Sequence, residues 1–266
     1  MKEYLGKITL IKNKRGVYDL DTSKGCCSGL ENNKNGCYND CYAAKNAKIY
    51  GYDFSKTVLR KFESDRHKHK IIKQINKFNV PFIRIGTSGD PSENWGHTLD
   101  IIKKILADYQ LSLFPEQKKE IVIITKHWNK LTKKQLSKIR KYNICINTSL
   151  SALDSKKQLK ARLNQYNILK KYCKSVLRIV SCDFNKKNKK GLKLSKIQDK
   201  LFKNENIIDT IFRCSKNNIN VKSGLINIEK IKFLNQLCYV SRFNKNTYFG
   251  KCNNCLEQCG ITQFKI

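Results

Sequence analysis

The chain has 266 residues, 40% of them apolar and 10% aromatic, which is enough to bury a core and excludes a disordered tail. No apolar run approaches the roughly 20 residues needed to cross a bilayer, and the first residues, Met1-Lys2-Glu3-Tyr4, lack the apolar stretch of a secretory leader. Lys and Arg number 54 against 21 acidic residues, a net charge of +33 that attracts polyanions by counterion release, yet only nine of the 54 are Arg. The expectation is a cytoplasmic protein with no membrane partner. Nucleic acid is a candidate partner, although richness in Lys, Asn and Ile also fits the coding bias of an AT-rich genome.

The predicted elements alternate. Strand-like runs fall at 17–21, 81–86, 120–125, 143–148, 175–181 and 207–213. Several are continuous, β-branched and apolar, as strands covered on both faces are. Charged stretches with helical spacing lie between them, at 55–78, 98–109, 132–142, 155–172 and 194–202. This rhythm predicts an α/β fold of repeated βα units around a parallel sheet, either a partial or complete barrel or an open doubly wound sheet. In both, ligands bind at the C-terminal ends of the strands. Polar residues collect there: Gly86-Thr87-Ser88-Gly89-Asp90-Pro91, Lys126-His127, Asn147-Thr148-Ser149 and Ser181-Cys182-Asp183. From about residue 225 the rhythm stops, dividing the chain into a βα domain over 1–225 and a small cysteine-rich module over 226–266.

Twelve cysteines in a reducing compartment point to metal ligation before disulfides. Cys26, Cys27, Cys37 and Cys41 follow the first strand; Cys238, Cys252, Cys255 and Cys259 cluster near the end; Cys145, Cys173, Cys182 and Cys214 stand singly. Cys37 and Cys41 enter a predicted helix, and a loop with Gly29 and Gly36 can fold Cys27 back toward them. Three thiolates suit an iron–sulfur cluster with one iron left open. A structural zinc site, which takes four protein ligands, would draw on the same residues. The second group, with Cys238 as fourth thiol, fits zinc or an iron–sulfur cluster equally well.

Two segments carry a resemblance. The run Cys41-Tyr42-Ala43 closing the first cysteine group, and Arg84 to Pro91 after the second strand, resemble the radical S-adenosylmethionine enzymes, in particular small phage- and mobile-element-associated members. The likeness spans most of 17–215. It implies a partial (β/α)6 barrel with a cysteine-rich metal-binding tail, a [4Fe-4S] cluster on Cys27, Cys37 and Cys41, and S-adenosylmethionine as cofactor. Cys26 is the rival of Cys27 for the first ligand, because the spacing here is nine residues then three rather than three then two. The resemblance also implies cofactor contacts at Tyr42, Ser88, Gly89 and Asp90, the last offering a carboxylate to the methionine ammonium. Asn147 and Ser149 would bond ribose or carboxylate, and Lys126 or Arg178 would face the carboxylate. It further implies an electron donor and a second [4Fe-4S] cluster or zinc on Cys238, Cys252, Cys255 and Cys259. The rival function is a non-enzymatic, zinc-stabilised nucleic-acid-binding protein. His67 and His69 read as a solvated helix face, while His127, Trp128, Trp95 and His97 read as packing before substrate contact.

Overall fold

A computed structural model describes residues 6–31, 41–77, 82–110, 119–233 and 235–262. In chain order the strands are β1 (Ile11–Lys12), β2 (Tyr18–Asp19), β3 (Ser23–Lys24), β4 (Val58–Leu59), β5 (Phe82–Ile85), β6 (Glu120–Thr125), β7 (Cys145–Leu150), β8 (Lys174–Ser181), β9 (Asp183–Phe184), β10 (Ile207–Cys214), β11 (Ile226–Asn227), β12 (Glu229–Phe233) and β13 (Gln236–Ser241). The helices are α1 (Cys27–Glu31), α2 (Tyr42–Ile49), α3 (Asp65–Lys77), α4 (Trp95–Gln110), α5 (Lys133–Tyr142), α6 (Lys156–Leu169), α7 (Lys189–Leu201) and α8 (Ile219–Lys222).

The main sheet runs β1-β2-β5-β6-β7-β8-β10-β13-β12. From β2 to β10 all neighbours are parallel, in registers such as Ile83 with Ile121, Ile123 with Ile146 and Ser149 with Arg178. These six strands are the six expected, in the order in which the chain makes them. Among the described residues the edge strands β1 and β12 do not pair with each other.

Side-chain alternation along each strand explains the layering. Ile83, Ile85, Ile121, Ile123 and Ile146 face outward onto Ile71 and Ile75 of α3, Leu99 and Ile102 of α4, and Leu136 and Ile139 of α5, all buried. Full burial of each such side chain contributes roughly 1.5–3 kcal/mol. The opposite face changes character along the strands. Its lower layer is apolar, with Phe82, Val122, Cys145, Val176 and Ile208 packed beneath Cys252, Cys259 and Ile261 of the C-terminal segment. One or two steps up the same strands stand Arg84, Ser149 and Arg178, which face a cavity.

Local chemistry sets the boundaries. Thr132 and Gln135 form a reciprocal capping box that starts α5, and Ser155 with Gln158 does the same for α6. Asn143 ends α5 in the left-handed region (φ 50°), so β7 begins at Cys145 rather than at 143. Helix α3 starts at Asp65, not at 55, because Val58–Leu59 pair antiparallel with Ser23–Lys24. After 225 the chain forms the β12–β13 hairpin, whose second strand pairs antiparallel with β10, Phe212 opposite Ser241. The cysteine-rich stretch is therefore joined to the main sheet.

Candidate functional site

Above the C-terminal ends of β2 and β5, a buried carboxylate organises the first polar loop. Asp21 accepts the backbone N–H groups of Gly86, Thr87 and Ser88, each at 2.8 Å, and the hydroxyls of Thr87 (2.8 Å) and Ser88. Gly86 is needed for two reasons: its φ is +102°, and a Cβ there would lie 2.1 Å from the Ile124 carbonyl oxygen. At Gly89 a Cβ would fall 2.6 Å from the Ser23 oxygen and 2.8 Å from that of Gly25. The close backbone approach at Gly89 is thus to the cysteine loop itself. Gly25 and Gly89 form a parallel bridge, and Gly25 N–H donates to the Ser88 carbonyl at 3.1 Å. The cysteine loop and the Ser88–Pro91 segment are stitched together by backbone.

Cys26 is buried with Ala43, Ala47 and Phe54, and Cys41 packs against the same cluster at the N-cap of α2. Both line the cavity. Cys27 lies beside them, and a single carboxylate reads both thiols of the pair. Glu93 accepts from Cys26 Sγ at 3.3 Å and Cys27 Sγ at 3.1 Å, and also from Ser28 N–H and Oγ at 3.0 and 3.1 Å. Cys37 lies outside the described residues.

Asp90 is 9% exposed and meets four donors: Ser92 N–H (2.9 Å), Ser92 Oγ (2.7 Å), Thr125 Oγ1 (2.6 Å) and Lys126 N–H (2.7 Å). Its carboxylate caps the 3-10 turn Pro91–Asn94 and ties it to the end of β6. The Lys126 ammonium lies 3.3 Å from Asp154, which also pairs with buried Arg162 at 2.5 Å. Burial alone would raise the Asp154 carboxyl, but Lys126 and Arg162 outweigh it and hold it below its ordinary value. Arg162 in turn stacks on Trp128, 4.9 Å from the ring centroid. Tyr42 lines the cavity and donates to the Thr87 carbonyl at 2.6 Å. Ser149 also faces the cavity.

The deeper residues answer to the C-terminal segment. Asn147 is fully buried and donates to the Cys259 carbonyl at 2.9 Å, which places it below the cavity wall. Arg178 donates to Asn147 Oδ1 at 3.5 Å and reaches Cys259 Sγ at 3.9 Å. Cys252 N–H donates to the Arg15 carbonyl at 2.7 Å. Cys238, Cys252, Cys255 and Cys259 all line the same cavity of about 690 Å³ as Cys26 and Cys41. Among the described residues, no three His, Cys, Asp or Glu side chains already converge as metal-holding groups do.

The histidines read as packing have that role. His127 is buried, its Nε2 is 2.9 Å from Thr148 Oγ1, and its ring lies 5.9 Å from that of Trp95. Burial lowers its pKa to about 4, with Arg162 adding and Asp90 opposing. His97 Nε2 lies 2.8 Å from the Arg60 carbonyl oxygen. Asp21, Glu93 and Asp154 escaped the sequence reading. A carboxylate at a strand's C-terminal end beside a cysteine loop was the available signal for Asp21; Glu93 and Asp154 find their partners only through the fold. Compared with known proteins, the chain matches no family model, no curated protein and no solved structure.

Proposed function

We propose that the chain is a radical S-adenosylmethionine enzyme whose six parallel strands form a partial (β/α)6 barrel. One observation carries the reading. The Gly25–Gly89 bridge unites the two segments that suggested it, the cysteine loop and the Ser88–Pro91 loop, on one rim of one cavity. That rim stands where parallel α/β sheets bind ligands.

The donor set fits the group. Cys26 or Cys27, with Cys41 and Cys37, would supply soft thiolates to a [4Fe-4S] cluster, and Cys41 at a helix N-terminus is placed where thiolate is favoured. When bound, the cluster would supply one-electron reductive chemistry to S-adenosylmethionine, with the electron coming from an external donor. The protein's part is placement. Asp21 fixes the backbone of Gly86 to Ser88, Asp90 fixes the turn behind it, and Lys126, Ser149 and Tyr42 face the cofactor from the cavity wall. Asp90 serves here as a positioning residue, since its four donors already engage it. A second cluster or zinc on Cys238, Cys252, Cys255 and Cys259 would share this cavity.

The test is metal content with an anaerobic absorption spectrum of the reconstituted chain. Iron and sulfide in cluster proportions, reduced when Cys41 is replaced by Ala, is the expected result. Zinc alone at the first group would overturn the reading and favour the zinc-stabilised nucleic-acid-binding protein, for which the net charge of +33 is the support.

A further inference from the structure

Arginine is scarce in this chain, and its placement is uneven. Four of the nine, Arg15, Arg84, Arg178 and Arg213, line the same cavity. They come from the β1–β2 turn, β5, β8 and β10. Arg84 has its counter-ion, with Nε and Nη2 donating to Asp19 at 2.9 and 3.3 Å. The other three form no ion pair among the described residues. Arg15 donates Nε to the Gly250 carbonyl at 2.8 Å. Arg178 has the long contacts to Asn147 and Cys259 given above. The Arg213 side chain makes no hydrogen bond among the described residues and lies over the Tyr42 ring, 5.0 Å from its centroid.

The remaining carboxylates on the wall do not fill the gap. Asp90 is engaged by its own loop and Asp154 by Lys126 and Arg162. Asp209 accepts from Thr247 Oγ1 at 2.5 Å. Glu257 feels the charge of Arg178, but burial raises its carboxyl, as it raises that of Asp209. Arg15, Arg84 and Arg178 lie close enough to Arg213 to disfavour its charged form, and Tyr42 partly offsets them. Gathered guanidiniums repel one another, and an anion placed among them relieves that repulsion. Guanidinium forks match the oxygens of phosphate.

We infer that Arg213, Arg178 and Arg15 form the binding site for a phosphate or polyphosphate group of the substrate. The cavity is within the size range of small-molecule sites, roughly 300–1,000 Å³. Calling the bound molecule a substrate rests on the function proposed above; the anion site does not. The Lys-rich outer surface is then a general attractor, and the sparse arginines supply the specific contact.

Calorimetric titration of the full-length, metal-free chain with inorganic pyrophosphate at moderate salt tests this. Arg213→Gln should weaken binding about tenfold or more, as loss of a charge-assisted contact does, with Arg213→Lys intermediate and Arg140→Gln, on the exposed side of α5, unchanged. Equal affinities for Arg213→Gln, Arg140→Gln and wild type would overturn the site and assign the binding to surface lysines. Should Arg213→Gln fold poorly, phenylglyoxal labelling of the wild type gives the same answer. Pyrophosphate should protect Arg213 and Arg178 while Arg66 and Arg140 react; uniform labelling overturns the proposal. Because no metal is present, an intact pyrophosphate site in a chain that never assembles a cluster would sink the radical reading alone. A cluster-bearing chain without pyrophosphate binding would sink only the anion site.

Discussion

Two parts of the cavity use charge in opposite ways. On the rim, Asp21, Asp90 and Glu93 are saturated with donors from nearby backbone, hydroxyls and thiols, so negative charge has been used to fix the loops before any ligand arrives. Elsewhere on the wall, Arg15, Arg178 and Arg213 meet a carbonyl, an amide, a thiol and an aromatic ring, but no carboxylate within ion-pair distance among the described residues. The first arrangement is pre-organised and the second is incomplete. Rim charges are therefore expected to matter for stability, and wall charges for binding.

The largest effect should come from Asp21→Ala. It strands three backbone N–H groups and two hydroxyls in a site where Asp21 is 5% exposed. At about 1–3 kcal/mol for each unsatisfied buried group, partly relieved by water, a loss of about 4 kcal/mol in chemical denaturation is expected. A loss below about 1 kcal/mol would show that the rim is not organised by this carboxylate. Asp154→Asn comes next, at about 3 kcal/mol, because it leaves buried Arg162 without its anion. The depressed carboxyl of Asp154 gives the sign with pH: its contribution is fully present above the ordinary carboxylate value and disappears as pH falls through the lowered one. Wild type should therefore lose more stability in acid than the Asn variant, and parallel pH curves would contradict this.

His127 should have a smaller effect in a different window. Its folded pKa of about 4 lies below the ordinary 6.5, so the unfolded chain binds the extra proton between those values. Stability should fall by about 2.5 kcal/mol as pH drops from 6.5 to 4. His127→Asn, which suits the left-handed backbone at φ 53°, should flatten that slope. The smallest effect sharpens the comparison most. Arg213→Gln should change stability by no more than about 0.5 kcal/mol in either direction while weakening anion binding, because no internal ion pair is broken. A stability loss as large as that of Asp154→Asn would erase the distinction between rim and wall.

Much of the fold was readable because its strands are plain. The run Glu120–Thr125 matches β6 to the residue, and Ile207–Cys214 extends the expected strand by one, since continuous β-branched apolar runs have no helical alternative at that length. Boundaries moved where a single residue's conformation decided them, as at Asn143, or where a short non-local pairing intervened, as at Val58–Leu59. The joining of the cysteine-rich stretch to β10 through β13 was not legible, because the polar alternation of Glu229–Phe233 gives no hint of its partner. At the site, spacing and glycine content singled out the two rim segments, and the fold brings them together at Gly25 and Gly89. The carboxylates that hold them could not be weighed in sequence, since Glu93 and the Cys26–Cys27 pair are more than 60 residues apart. Asn147 was expected to face the cofactor and instead holds the C-terminal segment, whose position under the wall no local pattern announces.

The most direct measurement is cofactor turnover by the anaerobically reconstituted full-length chain. With a chemical reductant and S-adenosylmethionine, formation of 5′-deoxyadenosine is expected, abolished by Cys41→Ala and by omission of reductant. A chain that holds zinc at the rim and returns S-adenosylmethionine intact would contradict the account.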